Sequence, residues 1–284
     1  MQQPLGFVHN EFPHHVCKHR KAVYGLRQAP RDWHDSLKAF VLSYGFQTSL
    51  SDNSLFIYNT NGIKAFLLVY VDDLLLKDSN NNFLQNFMAK LSLKFSLKYL
   101  GFPYYFLGIE LIPTKQGLLL TQHGYIRDLL DKFNMAGAKP TYTPLATSTP
   151  LKLQDGSATA DAKSFRSIIG ALQYLTLSCL DLSFVINKLS QFMHKPTQTH
   201  LQQLKCVLKY LKLTLNYGLT LKKPRQLTLH AFSDADWGGN LDDRTSTYAF
   251  VIYFGGNPVS WLSKRQRKVA RSSIEIEYRS VANT

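Results

Sequence analysis

The sequence predicts an α+β protein, on three observations. Apolar residues at helical spacing alternate with extended apolar and aromatic runs over residues 1–135. A stretch rich in Pro, Thr and Ser interrupts that pattern over residues 136–163. Basic helical segments over 164–225 then give way, after Pro224, to short extended segments over 226–284. At 284 residues the chain has the length of one large or two modest domains, at about 100–200 residues each.

Taken in order, Leu37, Phe40 and Val41 mark a helix between Asp35 and Tyr44. Ser54 to Tyr58 and Ala65 to Leu76 have the apolar and aromatic content of buried strands. Phe83, Leu84, Phe87, Met88 and Leu91 recur at three and four, which predicts an amphipathic helix. Phe106 to Ile112 and Leu118 to Gln122 predict a hairpin turning between Pro113 and Gly117, and Tyr125 to Phe133 a further helix. The Pro- and Ser-rich stretch predicts an extended connector, because such residues sustain no core. Beyond it, Phe165 to Leu175 and Leu201 to Leu211 each carry an apolar stripe. Gln226 to Ser233, Ser246 to Phe254 and Pro258 to Ser263 predict three successive strands. Ser272-Ser-Ile-Glu275 is a capping-box signature that starts a last helix.

The composition excludes several classes. With 18 Phe and 15 Tyr the chain has the aromatics to build a core, unlike a wholly disordered one. The longest apolar run, Ala65 to Val71, falls well short of the roughly 18 residues of a membrane span. Met1 is followed by Gln-Gln-Pro rather than by a secretion signal, so an intracellular, non-secreted protein of unspecified compartment is expected. Cys17, Cys179 and Cys206 are too few and scattered for a disulfide framework. His14, His15, Cys17 and His19 fit no standard zinc spacing and are not read as a metal site.

Charge points toward a partner. The 33 Lys and Arg against 19 Asp and Glu give a formal charge of +14, and no acidic residue occurs between Ser183 and Ser233. A polyanion, most often nucleic acid, suits such a surface. Lys205, Lys209 and Lys212 fall at i, i+4 and i+7 on one helix, a basic stripe placed to meet a nucleic-acid backbone.

The sharpest local motif is Tyr70-Val-Asp-Asp73 between two apolar runs. Adjacent strand residues point to opposite faces, so two neighbouring carboxylates serve one site only at the tip of a tight hairpin. Held together there, they repel each other unless a cation intervenes, and magnesium is the ordinary hard cation for such oxygens. Tyr24-Gly-Leu-Arg-Gln-Ala-Pro30 precedes this motif and Phe106-Leu-Gly-Ile-Glu110 follows it. In that order the three resemble the reverse transcriptase of copia-type LTR retrotransposons. Ser167 to Leu175 resembles the segment beyond that family's palm. Ser233-Asp-Ala-Asp-Trp-Gly238, Ser260-Trp261 and Arg271 to Arg279 resemble the start of its RNase H domain.

The resemblance implies a partial palm over 1–135, thumb- or connection-like helices over 164–225, and an RNase H-like sheet over 226–284. It implies that Asp72 and Asp73 bind Mg2+ or Mn2+ as catalytic carboxylates of the polymerase. Tyr24, Gly25, Arg27 and Gln28 become nucleotide- and template-binding residues, and Leu107, Gly108 and Glu110 grip the primer. Asp234 and Glu277 become metal-binding catalytic carboxylates of the RNase H part. Implied partners are an RNA template, a DNA primer, dNTPs and the remaining Pol polyprotein segments, with no membrane. The family's palm draws a further aspartate from a strand preceding Met1-Gln-Gln-Pro-Leu-Gly-Phe7, and its RNase H domain draws further carboxylates from beyond Thr284. The expectation is therefore a polymerase and partial RNase H that is inactive as an isolated chain. The alternative is a retroelement remnant that at most binds nucleic acid. Two departures are visible: Ile274 and Ile276 where the family has Thr and Ala, and Thr247-Tyr248 in place of Ser-Gly.

Overall fold

The computed structural model describes residues 2–18, 25–71, 73–146 and 151–284. The chain divides into two compact units, residues 1–103 and 104–284.

The first unit contains α1 (Ala29–Ser43), β1 (Gln47–Thr48), β2 (Leu55–Thr60), β3 (Ile63–Tyr70), β4 (Asp73–Asp78) and α2 (Asn81–Lys94). The strands form one antiparallel sheet in the order β1-β2-β3-β4. Along β3 the buried positions are Ala65, Leu67 and Val69, the period of two that a strand covered on one face requires. Those residues pack with Leu37 and Val41 of α1 and with Phe87 and Leu91 of α2, so both helices lie on one face. Asn80 caps α2 by accepting from the amides of Asn82 and Phe83. Asn61 and Gly62, at φ 53° and 75°, turn β2 into β3 as two-residue hairpin loops require.

The second unit begins with β5 (Tyr105–Phe106), β6 (Ile109–Thr114) and β7 (Gly117–Thr121), then α3 (His123–Lys132). After the connector come α4 (Ala162–Leu175), a short 3-10 turn (Leu180–Leu182), α5 (Ser183–Ser190), α6 (Gln198–Leu213) and β8 (Leu219–Lys222). Strands β5 to β8 form one antiparallel sheet in chain order. The helices share a core of buried residues that includes Ile126, Leu130, Phe165, Ile169, Leu172 and Leu208.

The unit ends with β9 (Leu229–Ala235), β10 (Thr247–Phe254), β11 (Asn257–Arg265) and α7 (Ser273–Asn283). These three strands pair antiparallel with β10 in the middle. Ser272 caps α7 by accepting from the Glu275 amide. Asn257 joins the two sheets of the unit by acting as a strand itself. Its Oδ1 accepts from the Lys222 amide at 2.7 Å, and its Nδ2 donates to the Lys222 carbonyl at 2.8 Å.

The structure departs from the sequence pattern in four places. Segment 104–135, grouped by its sequence with the preceding palm-like residues, packs in the second unit, because α3 buries Ile126, Leu129 and Leu130 among the later helices. The basic segment 164–225 also contains α5 and the strand β8, which completes the sheet of β7. The first strand of the last sheet starts at Leu229 rather than Gln226 and runs through Asp234. The connector is extended but anchored, with Leu151 buried and Thr159 bridged to Thr197.

Candidate active site

The hairpin of β3 and β4 closes at the pair Tyr70–Asp73, leaving a two-residue loop at its tip. Directly opposed residues of an antiparallel pair share a face. Tyr70 and Asp73 therefore lie with Leu68 and Leu75 on the face away from Leu67 and Val69, which the helices leave open. Tyr70, Val71 and Asp73 are all exposed. Among the described residues, no ion pair or side-chain hydrogen bond engages the Asp73 carboxylate. Asp72 lies outside the described residues, as does Tyr24.

Gly25, Arg27 and Gln28 are exposed at the entry to α1. Gly25 sits at φ 92°, a conformation that suits glycine. Gln28 occupies the N-cap position, but its side chain makes no capping bond. The first amides of α1 and the Arg27 guanidinium thus face solvent together. A helix N-terminus beside an arginine suits an anionic group such as phosphate.

Leu107, Gly108 and Glu110 all have internal partners. Leu107 and Gly108 are the central residues of the turn from β5 to β6, at φ 48° and 73°. Tyr174 of α4 donates to the Leu107 carbonyl at 2.5 Å, and a Cβ on Gly108 would collide with that hydroxyl. Glu110 Oε1 accepts from the Gly124 amide at 2.7 Å, placing a carboxylate at the N-terminus of α3 where it is favoured. The motif bolts a hairpin to two helices. Tyr174 is absent from the sequence-derived set. A Leu-Gly turn that needs positive φ at both residues is the signal that it requires an outside anchor.

The basic stripe of α6 divides. Lys205 is exposed and Lys209 half-buried. The Lys212 ammonium donates to the carbonyls of Ala136 and Ala138, the latter at 2.9 Å. It closes off the turn after α3 and has less freedom than its neighbours to meet phosphate.

Asp234 lies on β9 opposite Ala249, and Glu277 lies on α7; both are exposed. The two elements meet where Ser280 Oγ donates to the Asp234 carbonyl at 3.1 Å. Glu277 is one turn before Ser280, at the i, i+3 spacing that puts two residues on one side of a helix. Among the described residues, no group of three or more His, Cys, Asp or Glu could hold a metal ion. No helix among them is long and apolar enough to cross a membrane.

Residues 1–147 match the family described as reverse transcriptase (RNA-dependent DNA polymerase). The whole chain is 49% identical to 19% of a retrovirus-related Pol polyprotein from transposon RE1 of Arabidopsis thaliana. It is 30% identical over its length to 93% of the transposon Ty5-1 protein of Saccharomyces cerevisiae. Over 222 residues, 77% of this chain, it is 45% identical to an uncharacterized mitochondrial protein of Arabidopsis thaliana, covering 91% of it. The chain spans about a fifth of the two plant transposon Pol polyproteins it matches along its full length. No solved structure matches it.

Proposed function

Because this chain belongs to the reverse transcriptase family of copia-type retrotransposon Pol polyproteins, we propose that it forms part of an RNA-directed DNA polymerase with an attached RNase H segment. The observation that carries the reading is the β3–β4 hairpin, which presents Asp73 on an uncovered sheet face with no internal partner. A free carboxylate at a hairpin tip fits a divalent cation. Asp72 and Asp73 would hold Mg2+ or Mn2+ together with carboxylates from outside the described residues. When bound, the metal would supply charge stabilisation at the attacked phosphate.

The rest of the work falls to the chain. Arg27, with Gly25, Gln28 and the start of α1, would hold the triphosphate of a dNTP, and Tyr24 would complete that segment. The hairpin of Leu107, Gly108 and Glu110, made rigid by Tyr174 and α3, would support the primer strand on an RNA template. Orientation of this kind converts a bimolecular encounter into a placed reaction. Lys205 and Lys209 would meet the nucleic-acid backbone. Asp234 and Glu277 would serve the RNase H part.

Primer extension on an RNA template with magnesium, by this chain and by a longer Pol segment containing it, tests the reading. Asp73→Asn should abolish extension wherever extension occurs. Extension that survives in Asp73→Asn would overturn the assignment. One observation favours a second reading, a chain that binds nucleic acid without catalysis: no three metal-ligating side chains converge among the described residues. Binding without extension in both contexts would select it.

A further inference from the structure

A cleft of about 440 Å3 opens within the second unit between α4, α5 and β11. Small-molecule sites commonly fall between about 300 and 1,000 Å3. None of its lining residues carries a charge. Gln173, Asn187 and Ser263 contribute amide and hydroxyl groups, while Leu177, Ile186 and Trp261 contribute apolar walls. The cleft is braced, because Trp261 Nε1 donates to the Thr176 carbonyl at 2.8 Å and ties β11 to the end of α4.

Two polar atoms on this cleft are spare. Ser263 is only 8% exposed, and its Oγ is buried without a hydrogen-bond partner. The Oδ1 of Asn187 is buried in the same condition. An unpaired buried polar group is costly, and most such groups in folded proteins are paired. Two of them on one uncharged cleft mark the place of a partner that brings its own donors and acceptors.

The chemistry narrows that partner. An uncharged lining gives a phosphate or carboxylate nothing to offset its desolvation. Flat apolar walls with amides and hydroxyls at the edge suit a planar neutral ring that both donates and accepts, as a nucleobase does. Charge begins just outside the lining: Lys188 follows Asn187, and Lys264 and Arg265 follow Ser263. Ser263, Ala249 and Asp234 share one rung of the sheet, so Ser263 lies about 10 Å from Asp234 at two strand spacings.

We propose that this cleft is a socket for one unpaired nucleobase of a single-stranded nucleic acid, with the sugar-phosphate chain left at the basic rim. The proposal goes beyond the polymerase reading, since it requires neither metal nor catalytic carboxylate.

Equilibrium dialysis of the full chain against adenosine, guanosine, cytidine and uridine provides the first arm. A short oligothymidylate compared with an abasic oligonucleotide of equal length provides the second. The intact oligonucleotide should bind more tightly than the abasic one. Any nucleoside binding should hold steady as salt rises, because a neutral base releases no counterions. Asn187→Leu should weaken the base-dependent part by about tenfold. Ser263→Ala should weaken it too, while the ligand-free protein melts at an equal or higher temperature, because an unpaired hydroxyl is gone. Equal binding of intact and abasic strands would overturn the proposal, even if free nucleosides bound. So would unchanged base-dependent binding in both variants.

Discussion

Tyr174 donates its phenolic proton to the carbonyl of Leu107, 67 residues earlier, and its hydroxyl fills the space that a side chain on Gly108 would need. Leucine in the left-handed region costs about 1–2 kcal/mol. A helix outside the hairpin therefore helps hold its turn in shape, and the rigidity of the proposed primer-supporting hairpin is borrowed from α4.

Removing that bond should have a measurable and coupled effect. Tyr174→Phe is expected to lower the unfolding free energy by about 1 kcal/mol, the net worth of a typical internal hydrogen bond. Gly108→Ala should cost more, because the new methyl meets both an unfavourable φ and the Tyr174 hydroxyl. Combined, the two changes should cost less than their sum, since Tyr174→Phe clears the space the methyl needs. Urea unfolding of the two single variants and the double variant measures this. Strict additivity would show that the contact does not fix the turn.

The three lysines of α6 should separate by role. Lys205→Gln and Lys209→Gln should each flatten the log–log salt dependence of duplex DNA binding by about 0.9 per lost phosphate contact. Lys212→Gln should leave that slope nearly unchanged and lower stability instead, because its ammonium holds the Ala136 and Ala138 carbonyls. A slope that drops for Lys212→Gln as much as for Lys205→Gln would return it to the nucleic-acid surface.

Acid should loosen the anchor of the connector on α6. His200 is fully buried against Phe192, accepts from the Thr197 amide at Nδ1, and meets Asp155 through Thr197. Burial pushes its pKa below the ordinary 6.5, opposed in part by Asp155, the Lys152 carbonyl and Asp242. The folded state therefore resists protonation more than the unfolded chain does. Stability from this group is full above about pH 6.5 and falls as pH drops toward the lower folded value. Glutamine can still serve at the third position of a capping box, so His200→Gln should keep the cap and flatten the dependence. Melting temperatures between about pH 7.5 and about pH 5.5 test this, and equal slopes in the two proteins would refute it.

The helices with strong periodicity were legible because one buried face writes itself into the spacing, as Phe165, Ile169 and Leu172 do in α4. The site hairpin was legible for a different reason, since two adjacent carboxylates between apolar runs have few places to go. Strand β8 was hidden because Leu219–Lys222 is only four residues and pairs with β7 about a hundred positions earlier. The partners of Glu110 and Leu107 were hidden for the same physical reason. A carboxylate that caps a distant helix looks, in sequence, like one reserved for substrate. The spare Ser263 and Asn187 atoms become visible only once α5 and β11 are brought together.

Val71 stands at φ 47° in the loop between Tyr70 and Asp73, where a β-branched residue is a true outlier. That conformation costs about 1–2 kcal/mol, and the ladder running up to the Tyr70–Asp73 pair holds it in place. Glycine accepts this φ freely but loses more chain entropy on folding, about 0.5–1 kcal/mol. Val71→Gly should therefore leave stability unchanged or raise it by up to about 1 kcal/mol. The site should move the other way. A glycine samples more backbone, so the neighbouring Asp73 carboxylate is held less firmly, and cation binding falls when ligands must be ordered as the ion arrives. Magnesium titration followed by the Asp73 amide resonance, beside a melting curve, reads both quantities at once. Weaker magnesium binding in a protein that melts no lower is the expected result, and it would mark the strain at Val71 as maintained for the carboxylate beside it. Unchanged magnesium binding would show that the strain belongs to the fold alone.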